Sequence, residues 1–177
     1  MPAPAPLRRF KAAVYPLLAA NLAFYILLGR ASEVLDSAAW IALLALFEVE
    51  TAHGERLSAP QVRLIHVLRL AASAGVMAAA VVYVIEEEWL DAANAWLWLA
   101  VVALLEVEVR HPQAVARRRG AFVAATAVLY AALLALVPAW AWQSAWLNAW
   151  DATLWLAAFF VIELNVLAPR TGYPVQS

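Results

Sequence analysis

Long apolar stretches alternate with short polar segments along the whole chain. Six apolar runs can be delimited, at residues 12–29, 37–52, 64–85, 92–109, 121–142 and 150–168. A helix needs about 20 residues, at about 1.5 Å per residue, to cross the hydrocarbon core of a bilayer. The runs at 64–85 and 121–142 reach this length and the others are slightly shorter; the even-numbered runs also carry acidic residues near their ends. The pattern predicts an all-α integral membrane protein with six transmembrane helices.

Composition supports this prediction and limits the functions to consider. Of the 177 residues, 66% are hydrophobic and 14% are charged, which leaves too little polar surface for a soluble domain of this size. The formal net charge of −1 argues against a nucleic-acid partner. The absence of cysteine excludes disulfides and thiolate metal sites. The first apolar run follows a basic segment, as in a signal peptide, but we expect it to be retained because it belongs to an internal repeat.

The strongest internal feature is a motif that occurs three times. Each copy begins with Asp or Asn, has Trp four residues later and Glu twelve residues later, and ends with Glu or Asn two residues after that. The copies begin at Asp36, Asn94 and Asp151, so they are 58 and 57 residues apart, and the motif contains no gap. Each repeat unit of 57 or 58 residues includes two apolar runs, so successive units enter the membrane in the same orientation.

The repeat predicts how the chain is organised. We expect a single membrane domain over residues 1–177, built from three tandem parallel helical hairpins with pseudo-threefold symmetry. Repeat 1 would cover residues 8–54, repeat 2 residues 63–112 and repeat 3 residues 120–168, followed by a short cytoplasmic tail at 169–177.

The first glutamate of each motif copy is the main candidate for a functional residue. Glu48, Glu106 and Glu163 lie twelve residues after the motif start, about 18 Å along a helix. A charged side chain at mid-bilayer costs about 2.5–3.5 kcal/mol on insertion scales. We expect these carboxylates to converge on the bundle axis and to bind a proton or a small cation. The alternative is that they pair with Lys11, Arg69 and nearby arginines and only hold the helices together.

The remaining polar and aromatic positions of the motif are secondary candidates: Glu50, Glu108, Asn165, Trp40, Trp98 and Trp155. The last position of the motif lies about 200° around a helix from the first glutamate, so we expect it at contacts between hairpins or near the headgroups. Aromatic faces beside carboxylates can hold an ammonium group. Simple helix packing below the membrane interface is the alternative for the tryptophans.

Three histidines raise the question of a haem or metal cofactor. His53, His66 and His111 lie at predicted cytoplasmic helix ends, whereas a bis-histidine haem needs two imidazoles at matched depth on facing helices. We therefore expect neither haem nor metal. The sequence contains no phosphate-binding loop, zinc-protease motif or serine-hydrolase motif, so we expect no enzymatic activity.

Two functions fit these observations. The first is a transporter or channel for a proton or small cation that uses the repeated glutamates. The second is a non-catalytic subunit or assembly factor of a larger membrane complex, or of a homo-oligomer, because small residues allow helices to approach closely. In either case the bilayer is the main partner, and we expect the bacterial inner membrane as the location.

The basic residues predict the orientation. Eleven of the twelve Lys and Arg residues fall on one side of the six-span arrangement, and Arg30 is the exception. Because basic loops are retained in the cytoplasm, both termini should be cytoplasmic. Reporter fusions after Gly54, after Gly120 and at the C-terminus should all report the cytoplasm. A periplasmic signal at any of these three sites would contradict the predicted topology.

Overall fold

The computed structural model describes the backbone of residues 5–167 and the side chains of residues 8–160, except that of Glu55. Within this part of the chain every regular element is helical. The helices are α1 at Ala5–Leu28, α2 at Ala31–His53, α3 at Ala59–Ile85, α4 at Trp89–Arg110, α5 at Pro112–Arg117, α6 at Arg119–Trp142 and α7 at Trp146–Leu167. A 3₁₀ turn at Gly54–Arg56 joins α2 to α3, and the short α5 leads into α6.

Four of these helices are long and apolar enough to cross a membrane: α1 over Arg8–Leu28, α3, α4 and α6. The sequence predicted six spans. Helix α2 carries the four acids Glu33, Asp36, Glu48 and Glu50, more charge than a typical span holds. The side chains of α7 are described only as far as Phe160. The described part of the chain is thus all-helical and has four helices of membrane-spanning character; α2 and α7, the other two spans of the six-span prediction, are not among them.

The outer surface of the protein also fits a bilayer. Large apolar side chains are widely exposed, and Leu27, Leu70 and Val109 retain 76%, 73% and 78% of their accessible surface. Soluble proteins rarely leave such side chains over a large area in contact with water. Lipid acyl chains solvate this kind of surface without the cost of hydrating it. These observations support an integral membrane protein.

The six long helices pack in a closed ring. Each packs against the next in the order α1, α2, α3, α4, α6 and α7, and α7 packs back against α1. Buried residues from several helices fill the middle of the ring, among them Leu18 of α1, Trp98 of α4, Leu133 of α6 and Trp155 of α7. The ring therefore has an inside, which can shelter polar groups from lipid.

Two hairpin turns share the same backbone geometry. Glu87, between α3 and α4, and Ser144, between α6 and α7, have φ of 60° and 63°. After each turn the next backbone N–H donates to the carbonyl oxygen of Tyr83 or Trp140, at 2.9 Å in both cases. This pattern is typical of a helix that ends at a left-handed residue. Each turn places the end of one helix beside the start of the next.

Helices α3 and α4 meet through small side chains. Ala79 and Ala80 of α3 and Ala92 and Ala95 of α4 are all at most 4% exposed. Because alanine projects only a methyl group, the two backbones can approach closely and gain van der Waals contact along their length. This contact also holds Tyr83 in place.

We predict that Ala95→Leu destabilises the protein by about 1–3 kcal/mol, because added methylenes at a fully buried site force the helices apart. Ala78→Leu is the matched control, since Ala78 lies on the exposed side of α3. Unfolding of both variants in detergent micelles should show a loss for Ala95→Leu and little change for Ala78→Leu. Equal effects would contradict the close packing of α3 and α4.

Candidate functional site

Residues at the start of the three motif copies meet at the end of the ring that carries the hairpin turns. Asp36 of α2, Asn94 of α4 and Asp151 of α7 line one small cavity of about 20 Å³, which has space for about one water molecule. Each lies five residues after the first residue of its helix, about 8 Å along the helix axis. Equivalent positions of the motif therefore contribute to a single cavity.

A network of charged and polar side chains surrounds the mouth of this cavity. Asn148 donates from Nδ2 to Asp91 Oδ1 at 2.8 Å and to Glu33 Oε1 at 3.3 Å. The Arg30 guanidinium lies 3.2 Å from Asp91 Oδ2 and 3.5 Å from Glu33 Oε1, and it also pairs with Glu88. These contacts tie together the starts of α2, α4 and α7.

The next layer of the cavity has fewer partners for its polar atoms. Asn21 donates from Nδ2 to Asp151 Oδ1 at 2.5 Å, and the Tyr83 hydroxyl donates to Asp36 Oδ2 at 3.5 Å. The other Asp36 oxygen, Oδ1, and the Ser37 Oγ are buried and have no hydrogen-bond partner among the described residues. Ser37 is only 5% exposed. Buried polar atoms without partners are rare and destabilising, so this layer has unused hydrogen-bonding capacity.

Aromatic rings lie deeper than the carboxylates. The ring centre of Trp40 is 6.4 Å from that of Trp98 and 6.1 Å from that of Trp155, and the ring centre of Phe159 is 4.5 Å from that of Trp98. These four rings line a second small cavity of about 20 Å³. It shares four lining residues with the first cavity: Asp36, Ser37, Asn94 and Asp151. The two cavities therefore adjoin at the carboxylate layer.

The spacing of Asp and Trp in the motif has a local explanation. Residues four positions apart lie on the same face of a helix, one turn from each other. Asp36 and Trp40 are such a pair on α2, and Asp151 and Trp155 are such a pair on α7. All four side chains line the second cavity. One spacing positions both the polar and the aromatic layer.

Negative charge exceeds positive charge around the first cavity. Four carboxylates line it: Glu33, Asp36, Asp91 and Asp151. Arg30 pairs with Glu33 and Asp91. Among the described residues, no basic side chain forms an ion pair with Asp36 or Asp151. Carboxylates removed from water need a proton, a basic group or a bound cation to offset the loss of hydration. The arrangement is suited to holding a positive charge.

The predicted glutamate site has a different arrangement. Glu48 accepts a hydrogen bond from Lys11 Nζ at 2.5 Å and one from the Tyr15 hydroxyl at 2.6 Å. Glu106 is exposed and pairs with Arg110 on its own helix. Each carboxylate thus has its own basic partner, and no described contact joins the two. The sequence predicted that Glu48, Glu106 and Glu163 converge on the bundle axis, and the contacts of Glu48 and Glu106 do not support this. The side chain of Glu163 lies outside the described residues.

The secondary candidates differ in where they lie. Glu50 pairs with Arg69 of α3, so α2 uses opposite faces to hold its two neighbours, Glu48 toward α1 and Glu50 toward α3. Glu108 is exposed, and the side chain of Asn165 lies outside the described residues. Trp40, Trp98 and Trp155 do come together, as described above.

The histidines lie apart from these cavities on the surface. His53 ends α2, His111 separates α4 from α5, and His66 contacts the Val62 carbonyl oxygen of its own helix through Nδ1 at 2.9 Å. All three side chains are exposed. In the described part of the chain, no group of three or more His, Cys, Asp or Glu residues is arranged to hold a metal ion.

Sequence reasoning missed the layer at the cavity mouth. Glu33, Asp91 and Asn148 are separated by 58 and 57 residues, the same offsets as the motif copies. They lie just before the motif, in segments that the sequence pattern predicts as polar turns. The signal that could have found them is this offset, extended three residues before the motif. Asn21 and Ser37 occur once each, without a counterpart in the other copies, so the repeat offers no signal for them.

Comparison with known proteins finds no match, whether to a protein-family model, to a curated protein or to a solved structure.

We predict that Lys11 and Glu48 are energetically coupled because they form a partly buried, charge-assisted hydrogen bond. Lys11→Met and Glu48→Gln should each lower stability, and the double variant should lose about 1 kcal/mol less than the sum of the two losses. Unfolding of the four proteins in detergent measures this coupling. Additive losses would show that the contact contributes nothing to stability. Glu106→Gln serves as the control at an exposed carboxylate.

Proposed function

We propose that the chain is a six-span integral membrane protein whose three helical hairpins form a pseudo-threefold bundle, and that it binds and transports a cation through the acid-lined cavity at the turn end. The proposed orientation places both termini in the cytoplasm and this cavity on the opposite side of the membrane. The proposal includes no catalytic chemistry.

Support for the bundle comes from the agreement between sequence offsets and positions in space. Three sets of residues at offsets of 58 and 57 line the cavities as successive layers. Each layer takes one residue from α2, one from α4 and one from α7: Glu33, Asp91 and Asn148; Asp36, Asn94 and Asp151; Trp40, Trp98 and Trp155. A chance alignment would not place three successive sets around common cavities. On this basis α2 and α7 are the remaining two spans.

The single observation that carries the proposal is the environment of Asp36 and Asp151. Both line both cavities, and neither has a basic partner in the described part of the chain. In a chain with only thirteen acids, placing two of them together inside an apolar ring is costly unless a positive charge offsets them. A bound cation would provide this positive charge, and the two carboxylates would be its ligands.

The proposal includes a closed gate, and the position of the aromatic layer supports it. Trp40, Trp98, Trp155 and Phe159 lie against one another below the carboxylates. A cation entering from the turn side would stop at this layer until the rings separate. Movement of the hairpins relative to one another would then separate the rings and open the cation site toward the cytoplasm.

The second candidate is a non-catalytic subunit of a larger membrane complex. The observation in its favour is that Glu48, Glu50 and Glu106 are each paired with a basic residue, as structural acids would be. In this alternative the bundle binds partners through its apolar outer surface, and the acidic cavity carries nothing across the membrane.

We predict that Asp36→Asn combined with Asp151→Asn abolishes cation binding. Calorimetric titration of the full chain in nanodiscs with sodium, potassium, calcium and methylammonium chlorides should show saturable binding of at least one of them by the native protein. The double variant should show none, because the carboxylates that offset the charge are gone. The matched control is Glu106→Gln with Glu108→Gln, which removes two exposed carboxylates far along α4 and should bind as the native protein does.

Flux into proteoliposomes separates the two candidates. Uptake of the bound cation by the native protein and its loss in the aspartate variant support transport. Saturable binding without flux favours the subunit alternative. The absence of binding by every cation tested, or equal loss in the control variant, would contradict the proposed function itself.

A further inference from the structure

We propose that the cation is a protonated primary amine with a short apolar substituent, its ammonium group between Asp36 and Asp151 and its apolar part against the tryptophan layer. This inference rests on the proposed function and names the class of ligand. It follows from what the two adjoining cavities offer to a bound molecule.

The carboxylate layer provides hydrogen-bond acceptors in a confined space. Asp36 Oδ1 and Ser37 Oγ are buried without partners among the described residues, and both side chains line both cavities. Asp151 adds a carboxylate whose Oδ1 is held by Asn21 at 2.5 Å. An ammonium group carries three N–H donors, so it can satisfy these atoms directly and offset the two charges. Ser37 is 5% exposed, and its hydroxyl has no hydrogen-bond partner among the described residues.

A metal ion fits this layer less well. Hard cations such as Ca²⁺ take six to eight oxygen ligands, and Mg²⁺ requires near-octahedral geometry. The described residues contain no group of three or more acids or histidines arranged to hold a metal ion. A ligand that binds through a few directed hydrogen bonds suits the available atoms better.

The aromatic layer explains why the ligand should also be apolar. The second cavity begins at the same Asp36, Ser37 and Asp151 and continues between three indoles and Phe159. Aromatic rings near a cation stabilise it through their negative faces, and burial of apolar groups away from water is favourable. An inorganic ion has no apolar group to pack against these rings. An alkylammonium ion would place its charge at the carboxylates and, as the rings separate, its chain among them.

The test is a chain-length series of ammonium ions on the full chain in nanodiscs. We expect affinity to rise from methylammonium to n-butylammonium by at least about tenfold, since full burial of each added methylene is worth about fourfold. Potassium and tetramethylammonium should bind at least about tenfold more weakly than n-butylammonium, because neither donates a hydrogen bond.

Two variants locate the groups responsible. Ser37→Ala should weaken n-butylammonium about tenfold, as expected for a lost hydrogen bond to a charged group, whereas Ser73→Ala, at an exposed serine, should not. Trp98→Leu should flatten the chain-length series, whereas Trp142→Leu, at a tryptophan that is 92% exposed, should preserve it.

The outcomes separate this inference from the proposed function. If an inorganic cation binds in a manner that needs Asp36 and Asp151, but affinity does not rise along the ammonium series, the amine inference is overturned and the proposed function stands. If no cation binds at all, both fail. Should Trp98→Leu not fold, the series on the native protein and the Ser37→Ala comparison still decide the question.

Discussion

An apolar exterior is the constraint on which the rest of this structure depends. Acyl chains offer no hydrogen bonds, so every charged side chain along the helices must find a partner, reach an end of the bundle or turn inward. The ring of six helices provides that interior. Lys11 with Glu48, Arg69 with Glu50, and the network around Arg30 are the direct results of this requirement.

Two sets of acids in this protein have different physical consequences. Those near the basic loops, Glu48, Glu50 and Glu106, are each paired with a basic side chain and can be explained by stability alone. Asp36 and Asp151 lie at the opposite end, in shared cavities, and have no basic partner among the described residues. A charge that lacks an internal counter-ion indicates a ligand more strongly than one that has been neutralised by its neighbours.

The link between polar and aromatic layers comes from helix periodicity. Because residues four apart stack on one face, an acid followed by Trp places an indole one turn below each carboxylate. Three helices that each contribute a polar residue and a Trp at this spacing then produce a polar layer above an aromatic one. Asn94 is the exception in the middle copy, and it lowers the charge of the layer while keeping a polar side chain there.

The sequence by itself determined the helical class and the approximate bounds of the long helices, and it marked Trp40, Trp98 and Trp155 as equivalent positions of a repeat. These depend on hydrophobic runs and on equal spacing, which are local or periodic properties. It could not decide which repeated acid faces the interior, and the expectation of a site at Glu48 and Glu106 found no support in their contacts. That choice depends on which neighbouring helix supplies a basic partner and at what distance. Only packing brings Lys11 to Glu48 while leaving Asp36 and Asp151 without a basic partner among the described residues, because the partners lie far apart along the chain.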